Sequence, residues 1–170
     1  MPAARVICAF SPDGLWLACA LGQYGKLTLW RVPIDRGNPV QLTDTNARGP
    51  AVSPDGKSIA FFHVDEGAEK KWKIIIVSSE GGIPLKTLDC TQAPNSGPQW
   101  SPDGKSLIYV DTRQGVGNLW RLPLDGGPAN QLTDFKSEQI WSFDFTRDGR
   151  QIVCARGDVT SDVVMISDSK

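Results

Sequence analysis

The sequence lacks the features that mark several large protein classes. Its apolar runs are far shorter than the ~18 residues of a membrane-spanning helix, and its first ten residues lack the layout of a signal peptide. Eighteen Lys and Arg balance nineteen Asp and Glu, so no basic field exists to hold nucleic acid or an anionic membrane surface. We therefore expect no nucleic-acid partner and no insertion of this chain into a membrane.

Catalytic motifs are also missing. The sequence contains no Gly-x-Ser-x-Gly nucleophile elbow, no Gly-rich phosphate loop and no His-Arg-Asp catalytic loop, which excludes a serine hydrolase or kinase domain within these residues. The single histidine, His63, has no evident nucleophile as partner, and we interpret it as a partly exposed residue at the end of a strand. We expect no catalytic residues and no cofactor.

The four cysteines show no Cys-x-x-Cys spacing, so we expect no zinc site. Cys8, Cys19, Cys90 and Cys154 are interpreted as free thiols. Cys19 and Cys154 should lie in the core, and Cys90 should be the most exposed, in a loop. Free thiols slightly favour a reducing compartment. The sequence gives no other indication of where the protein is located.

The chain is rich in glycine (17), proline (12) and tryptophan (6), which indicates many turns and argues against a helical bundle. Ser-Pro-Asp-Gly occurs at Ser11–Gly14, Ser53–Gly56 and Ser101–Gly104, with a degenerate copy at Thr146–Gly149, in steps of 42, 48 and 45 residues. Leu29-Trp30-Arg31 recurs ninety residues later as Leu119-Trp120-Arg121, in the same register. The chain is therefore four copies of one unit.

The first three units are each predicted to form four strands around tight turns, and the last unit is predicted to end with its third strand at 162–166. Pro and Asp suit the centre of the Ser-Pro-Asp-Gly turn, and Gly takes the left-handed conformation that returns the chain as a hairpin. The second strands have apolar residues on both faces, which indicates that each sheet packs between neighbours. A period of ~40–45 residues with four strands is typical of a propeller blade, so we predict an all-β fold, a β-propeller with four antiparallel blades. Their expected limits are about 5–44, 49–89, 97–134 and 140–167.

The Pro-x-Trp-Ser-Pro-Asp-Gly-Lys segment at 98–105 resembles the WD-repeat-like β-propellers of the TolB type. The Leu-Trp-Arg and Gln-Leu-Thr segments fit the same family. The stretch Ala155–Ser169, which includes Arg156-Gly157-Asp158, is similar to the end of propellers attached to bacterial serine/threonine kinases. Related propellers also precede the hydrolase domain of prolyl-oligopeptidase-like proteases. The resemblance implies scaffolding and protein or peptide binding, without chemistry in the propeller itself.

Such propellers commonly close with more than four blades. We therefore expect either a truncated propeller or one that completes its ring by pairing with another copy, as a homo-oligomer.

Candidate binding residues lie in the loops that join one blade to the next, near the predicted channel mouth. Positions facing the channel are Ala9, Ala51, Gln99 and Asp144, which offer too few oxygens for calcium, so we expect no metal site. Trp16 has the polar repeat equivalents Ser58, Ser106 and Gln151, and is expected to be an exposed aromatic contact. The candidate set is Trp16, Asn46, Arg48, Gln92, Asn95, Gln99, Lys136, Glu138 and Asp144.

Two functions remain open at this point. The first is a non-catalytic scaffold that binds a protein or peptide, as the sensor or docking module of a larger protein. The alternative is a propeller domain that gates a prolyl-oligopeptidase-like hydrolase, whose catalytic domain is absent from this sequence.

Overall fold

A computed structural model describes residues 7–23, 26–65, 71–90 and 96–158. Within these ranges the chain is all-β, with fourteen strands and no helix. No described segment is a helix long and apolar enough to cross a membrane. The strands are β1 (Ile7–Phe10), β2 (Trp16–Gln23), β3 (Lys26–Pro33), β4 (Val40–Gln41), β5 (Arg48–Val52), β6 (Ser58–Val64), β7 (Trp72–Ser78), β8 (Lys86–Cys90), β9 (Gln99–Trp100), β10 (Ser106–Arg113), β11 (Val116–Pro123), β12 (Asn130–Gln131), β13 (Gln139–Phe145) and β14 (Ile152–Gly157).

The strands form four separate antiparallel sheets, each built from consecutive strands. Sheet 1 has the order β1-β2-β3-β4, sheet 2 the order β5-β6-β7-β8, and sheet 3 contains β9 to β12. Sheet 4 pairs β13 with β14, and the third strand predicted at 162–166 lies outside the described residues. The first strands are the inner edges, because β1 lies against β5 and β5 against β9.

The repeated turn explains why each sheet starts as a hairpin. In the first copy, Ser11 Oγ donates to Asp13 Oδ1 (2.6 Å), and the same carboxylate accepts the backbone N–H of Leu15 (3.0 Å). Gly14 has φ +71°, a conformation that glycine adopts without steric cost. The same two hydrogen bonds form in the other three copies, around Asp55, Asp103 and Asp148.

Apolar residues on both faces of the second strands build three layers between the sheets, as the sequence predicts. Phe61 from β6 packs with Leu29 and Trp16 between sheets 1 and 2, whereas its neighbour Phe62 points the other way, toward Tyr109 in sheet 3. The third layer joins sheets 3 and 4 through Ile108, Val110, Leu119, Ile140 and Phe143. The core therefore runs continuously across stacked sheets.

The expected exposure of Trp16 is wrong. Its side chain is only 5% exposed, and it lies in the first layer with the guanidinium of Arg31 4.7 Å from its ring centroid. The polar repeat equivalent Ser106 is itself buried, and its Oγ accepts a hydrogen bond from Arg121 Nε (2.9 Å). Polarity at this repeat position therefore does not by itself indicate a surface.

The expectation of four free thiols is also wrong, because Cys8 and Cys19 form a disulfide. The two residues lie directly opposite each other on β1 and β2. Cys19 is buried as predicted, whereas Cys90 closes strand β8 and is half-buried, so it is not the exposed loop residue that we expected. The disulfide also removes the premise that favoured a reducing compartment.

Candidate functional site

Two connecting loops lie at the end of the sheets where the second strands end and the third strands begin, which we call the loop end. Loop A (residues 42–47) joins β4 to β5, and loop B (residues 132–138) joins β12 to β13. Loop A lies beside the start of β3, where the N–H of Ala47 donates to Leu27 O (2.6 Å). Loop B lies beside the start of β11 in the same way, where the N–H of Gly117 donates to Glu138 O (3.0 Å).

The structure places Asn46 inside loop A. Its side chain is buried, and its Oδ1 accepts the backbone N–H of Leu27 (3.4 Å). Its backbone carbonyl faces Nδ1 of His63 at 2.9 Å. The side chain of Asn46 therefore fixes the shape of loop A.

Arg48 is the exposed cation directly after loop A. Its guanidinium lies 5.6 Å from the ring centroid of Trp72, at the start of β7. This cation–π contact holds the arginine at the loop end, where the residue remains exposed.

In loop B, Lys136 is exposed and pairs with Asp134 (Nζ to Oδ1, 2.6 Å). The loop is anchored at Phe135, whose N–H donates to Asn118 Oδ1 (2.7 Å). Glu138 is half-buried, has φ +65°, and lies 3.3 Å from Nη2 of Arg156 through its Oε2. Loop B thus presents an exposed cation on a backbone that is internally fixed.

Two basic side chains near the ends of second strands hold these loops, a role that the sequence pattern does not reveal directly. His63, near the end of β6, contacts the carbonyl of Asn46 in loop A. Arg156, near the end of β14, donates from Nη2 to Ser137 O in loop B (2.7 Å) and stacks on Phe135 at 3.5 Å. The repeat register could have identified both residues from the sequence, because each lies where a second strand meets the loop that enters its sheet.

His63, Asp65 and Lys73 form a short chain of side-chain contacts. Nε2 of His63 lies 3.3 Å from Asp65 Oδ1, and Asp65 Oδ2 lies 2.6 Å from Lys73 Nζ. The hydrogen bond from Lys73 lowers the pKa of Asp65 below its ordinary value, and the same bond raises the pKa of Lys73. Asp65 and Lys73 therefore stay charged around neutral pH.

The two predicted channel residues have local partners. Gln99 Nε2 donates to the carbonyl of Phe143 in the neighbouring sheet (2.5 Å). Asp144 is exposed, and its Oδ1 accepts the N–H of Phe145 (2.8 Å).

Gln92 and Asn95 lie outside the described residues. The structure thus brings Asn46 and Arg48 together at loop A, and Lys136 and Glu138 at loop B, whereas Trp16 lies in the core.

A cavity of about 490 Å³ opens beside loop A. Its apolar wall comes from sheet 2, where Ile75 occupies the position held by Trp30 and Trp120 in sheets 1 and 3. Asp44 lies at the polar wall. The smaller isoleucine leaves room at the edge of the layer between sheets 1 and 2. The lining residues are Gln41, Leu42, Thr43, Asp44, Thr45, Phe61, Ile75, Val77, Gly82 and Pro84.

Comparison with known proteins agrees with this architecture. No family model and no curated protein matches the chain. Among solved structures, TolB from Acinetobacter baumannii superposes with a TM-score of 0.65 at 22% identity, over 89% of this chain and 37% of that one. A chain of a nidogen/laminin complex superposes with a TM-score of 0.70 at 15% identity, over 91% of this chain and 58% of that one.

The fold is that of a β-propeller. The ring is not closed in this chain, which spans little more than a third of the TolB chain's length. A prolyl endopeptidase shares the fold as well, with a TM-score of 0.62 at 17% identity over 85% of this chain and 24% of its own. At these identities the likeness concerns the fold alone.

Proposed function

We propose that this chain is a non-catalytic propeller module that binds a protein or peptide at its loop end. The observation that carries the proposal is the combination of exposed cations with fixed loop backbones. Arg48 and Lys136 point outward from loops whose backbones are held by His63 and Arg156. A preformed loop binds with a smaller loss of conformational entropy than a loose one.

The cavity beside loop A supports a peptide as the partner. Its wall of Phe61, Ile75 and Val77 is apolar, and its rim carries Asp44 and backbone groups of loop A. An apolar side chain of the partner would fill the space, while polar groups at the rim would orient the peptide backbone. In a longer protein, such a module would serve as a sensor or docking domain, joined for example to a kinase.

A displayed library of random peptides tests the proposal. Peptides selected on the wild-type chain should bind an Arg48→Ser/Lys136→Ser variant at least about tenfold more weakly, because the two exposed cations are lost. The matched control is Lys57→Ser/Arg150→Ser, which removes two exposed cations from the opposite end of the sheets. Failure to select any peptide, or an equal loss in the control variant, would contradict binding at the loop end.

A second copy of the chain is the partner we propose for the two end faces of the stack. Phe10 is 71% exposed on the free face of sheet 1, and Val153 is 63% exposed on the free face of sheet 4. The repeat equivalents of Val153, which are Ala18, Ala60 and Ile108, are all buried against the next sheet. The end faces thus match the two sides of an internal layer, and two copies would form an eight-bladed ring.

Light scattering tests this pairing directly. The wild-type chain should have twice the 18.5 kDa mass of one copy. Val153→Asp should return it to a monomer, whereas Ile83→Asp, at an exposed position away from both end faces, should not. A wild-type monomer at every concentration would contradict the pairing.

The alternative function is a propeller domain that gates a hydrolase active site. The shared fold of the prolyl endopeptidase and the Pyrococcus horikoshii acylaminoacyl peptidase supports this alternative. This chain covers 24% and 26% of those two chains. Co-expression with a hydrolase domain encoded beside this chain would favour gating if the propeller lowered turnover of long peptides and left short ones unaffected.

A further inference from the structure

His63 is the only histidine in the sequence, and both of its ring nitrogens face hydrogen-bond acceptors. Nδ1 lies 2.9 Å from the carbonyl oxygen of Asn46, and Nε2 lies 3.3 Å from the carboxylate of Asp65. Neither acceptor can donate a proton in return. Only the doubly protonated imidazolium can donate to both groups.

The neutral ring necessarily loses one of these contacts. With the proton on Nδ1, the lone pair of Nε2 faces the Asp65 carboxylate, and with the proton on Nε2, the lone pair of Nδ1 faces the Asn46 carbonyl. Either tautomer places two acceptors against each other, which is unfavourable at these distances. The ionised carboxylate of Asp65 is a stronger acceptor than a neutral carbonyl, so the neutral ring keeps its proton on Nε2 and loses the bond from Nδ1 to Asn46. Protonation of His63 and its contact with loop A therefore favour each other.

We propose that His63 is a pH-sensitive clamp that holds loop A when the imidazole is protonated and loosens it when the imidazole is neutral. Histidine is the side chain whose ordinary titration falls between about pH 5 and 8. Among the described residues, the charged groups on the elements around the ring are Asp65, Lys71, Lys73, Asp89, Asp44 and Arg48, and none of these residue types ordinarily titrates in that interval.

Loop B supplies an internal comparison. There the corresponding contact comes from Arg156, which donates to the Ser137 carbonyl and keeps its charge at every accessible pH. Loop A should therefore respond to pH between about 5 and 8, and loop B should not. The consequence for ligand binding rests on the proposed function, whereas the clamp itself does not.

Amide hydrogen exchange, corrected for the intrinsic pH dependence of exchange, measures the clamp without any ligand. The reporters are the amide of Ala47, bonded to Leu27 O, and the amide of Phe135, bonded to Asn118. The protection of the Ala47 amide should fall about fivefold from pH 5.5 to pH 8, which corresponds to the net free energy of one ordinary hydrogen bond. The protection of the Phe135 amide should stay constant.

Two variants separate the clamp from a general effect of pH. His63→Arg should keep Ala47 protected at both pH values, and His63→Gln should abolish the pH response. A response that persists in His63→Gln, or that is equally large at Phe135, would overturn the proposal. If His63→Gln does not fold, the pH titration of the His63 imidazole resonance in the wild-type chain provides the test. A titration midpoint that differs from the pH midpoint of the change in Ala47 protection would contradict the clamp.

Peptide binding tests separately whether the clamp at His63 affects ligand binding at the loop end. Peptides selected at the loop end should bind the wild-type chain more tightly at pH 5.5 than at pH 8, and His63→Arg equally at both. A pH-dependent Ala47 amide with pH-independent peptide binding would leave the clamp standing and remove loop A from the binding site.

Discussion

The backbones of Gly49 and Gly97 touch where sheets 2 and 3 meet at the inner edge. A Cβ on Gly97 would lie 2.6 Å from the carbonyl oxygen of Gly49, and a Cβ on Gly49 would lie 2.5 Å from Cα of Gly97. Both neighbours are main-chain atoms, so no side chain can move aside. The two first strands approach this closely only because both residues lack a side chain.

Gly97→Ala should therefore lower the free energy of unfolding by about 1–3 kcal/mol, the cost of forcing an extra carbon into a packed interface. Chemical denaturation of the variant measures the change. Gly127→Ala is the control, since the nearest atom there is the flexible carboxylate of Asp125 at 3.2 Å. Equal stability of Gly97→Ala and the wild type would show that the two sheets do not make this contact.

Sequence reasoning reached the fold because the turn motif sets a register. Once Ser11–Gly14 is a hairpin, the strands on either side must pair, and the apolar residues on both faces of β6 and β10 then require neighbouring sheets. The same register already placed Cys8 opposite Cys19, each three residues from the Ser11–Trp16 pair that closes the turn. The pairing of these cysteines thus follows from the hairpin register, whereas their spacing along the chain does not indicate it.

The candidate site was harder to predict, because its residues act through contacts between distant segments. The burial of Asn46 and the role of His63 depend on how loop A folds onto sheets 1 and 2, which local composition does not encode. The polar repeat equivalents of Trp16 do not indicate its exposure, because one of them, Ser106, is polar yet buried.

The disulfide predicts the number of reactive thiols. The unfolded, non-reduced chain should show two thiols, from Cys90 and Cys154, and four after reduction. Cys8→Ser should lower the free energy of unfolding by about 2–3 kcal/mol, because a closed loop is lost from the unfolded chain. Four thiols without reduction would contradict the pairing of Cys8 with Cys19.

Cys90 should react slowly with iodoacetamide in the folded protein. Burial raises its pKa to about 12, with further contributions from the carboxylates of Asp111 and Asp89. Little thiolate then exists at pH 8, so alkylation should be at least about a hundredfold slower than that of a small free thiol. The rate is measured by mass spectrometry of a tryptic digest, and the unfolded chain, where Cys90 should react at an ordinary rate, is the control.

The turn carboxylates predict a loss of stability in acid. Hydrogen bonds from Ser101 and the Lys105 amide lower the pKa of Asp103 below 3.8, and the equivalent bonds act on Asp13, Asp55 and Asp148. A depressed pKa in the folded state stabilises the fold above the ordinary pKa, and this contribution disappears as pH falls through the folded value. The melting temperature should therefore drop between about pH 5 and pH 2.

Asp55→Asn/Asp103→Asn should reduce that drop, since two of the four ionised acceptors are gone. Asp35→Asn, at an exposed aspartate outside the turns, is the matched control and should leave the drop unchanged. An unaltered pH dependence in the double variant would show that the turn hydrogen bonds do not carry the effect.

The central claim is that binding occurs at the loop end, on loops A and B. The most direct test is to add a selected peptide to the isotopically labelled chain and map the amide resonances that shift. The account predicts shifts concentrated in residues 44–48 and 133–139, with the four Ser-Pro-Asp-Gly-type turns at the opposite end unaffected. Shifts centred on those turns, with the loop resonances unmoved, would contradict it.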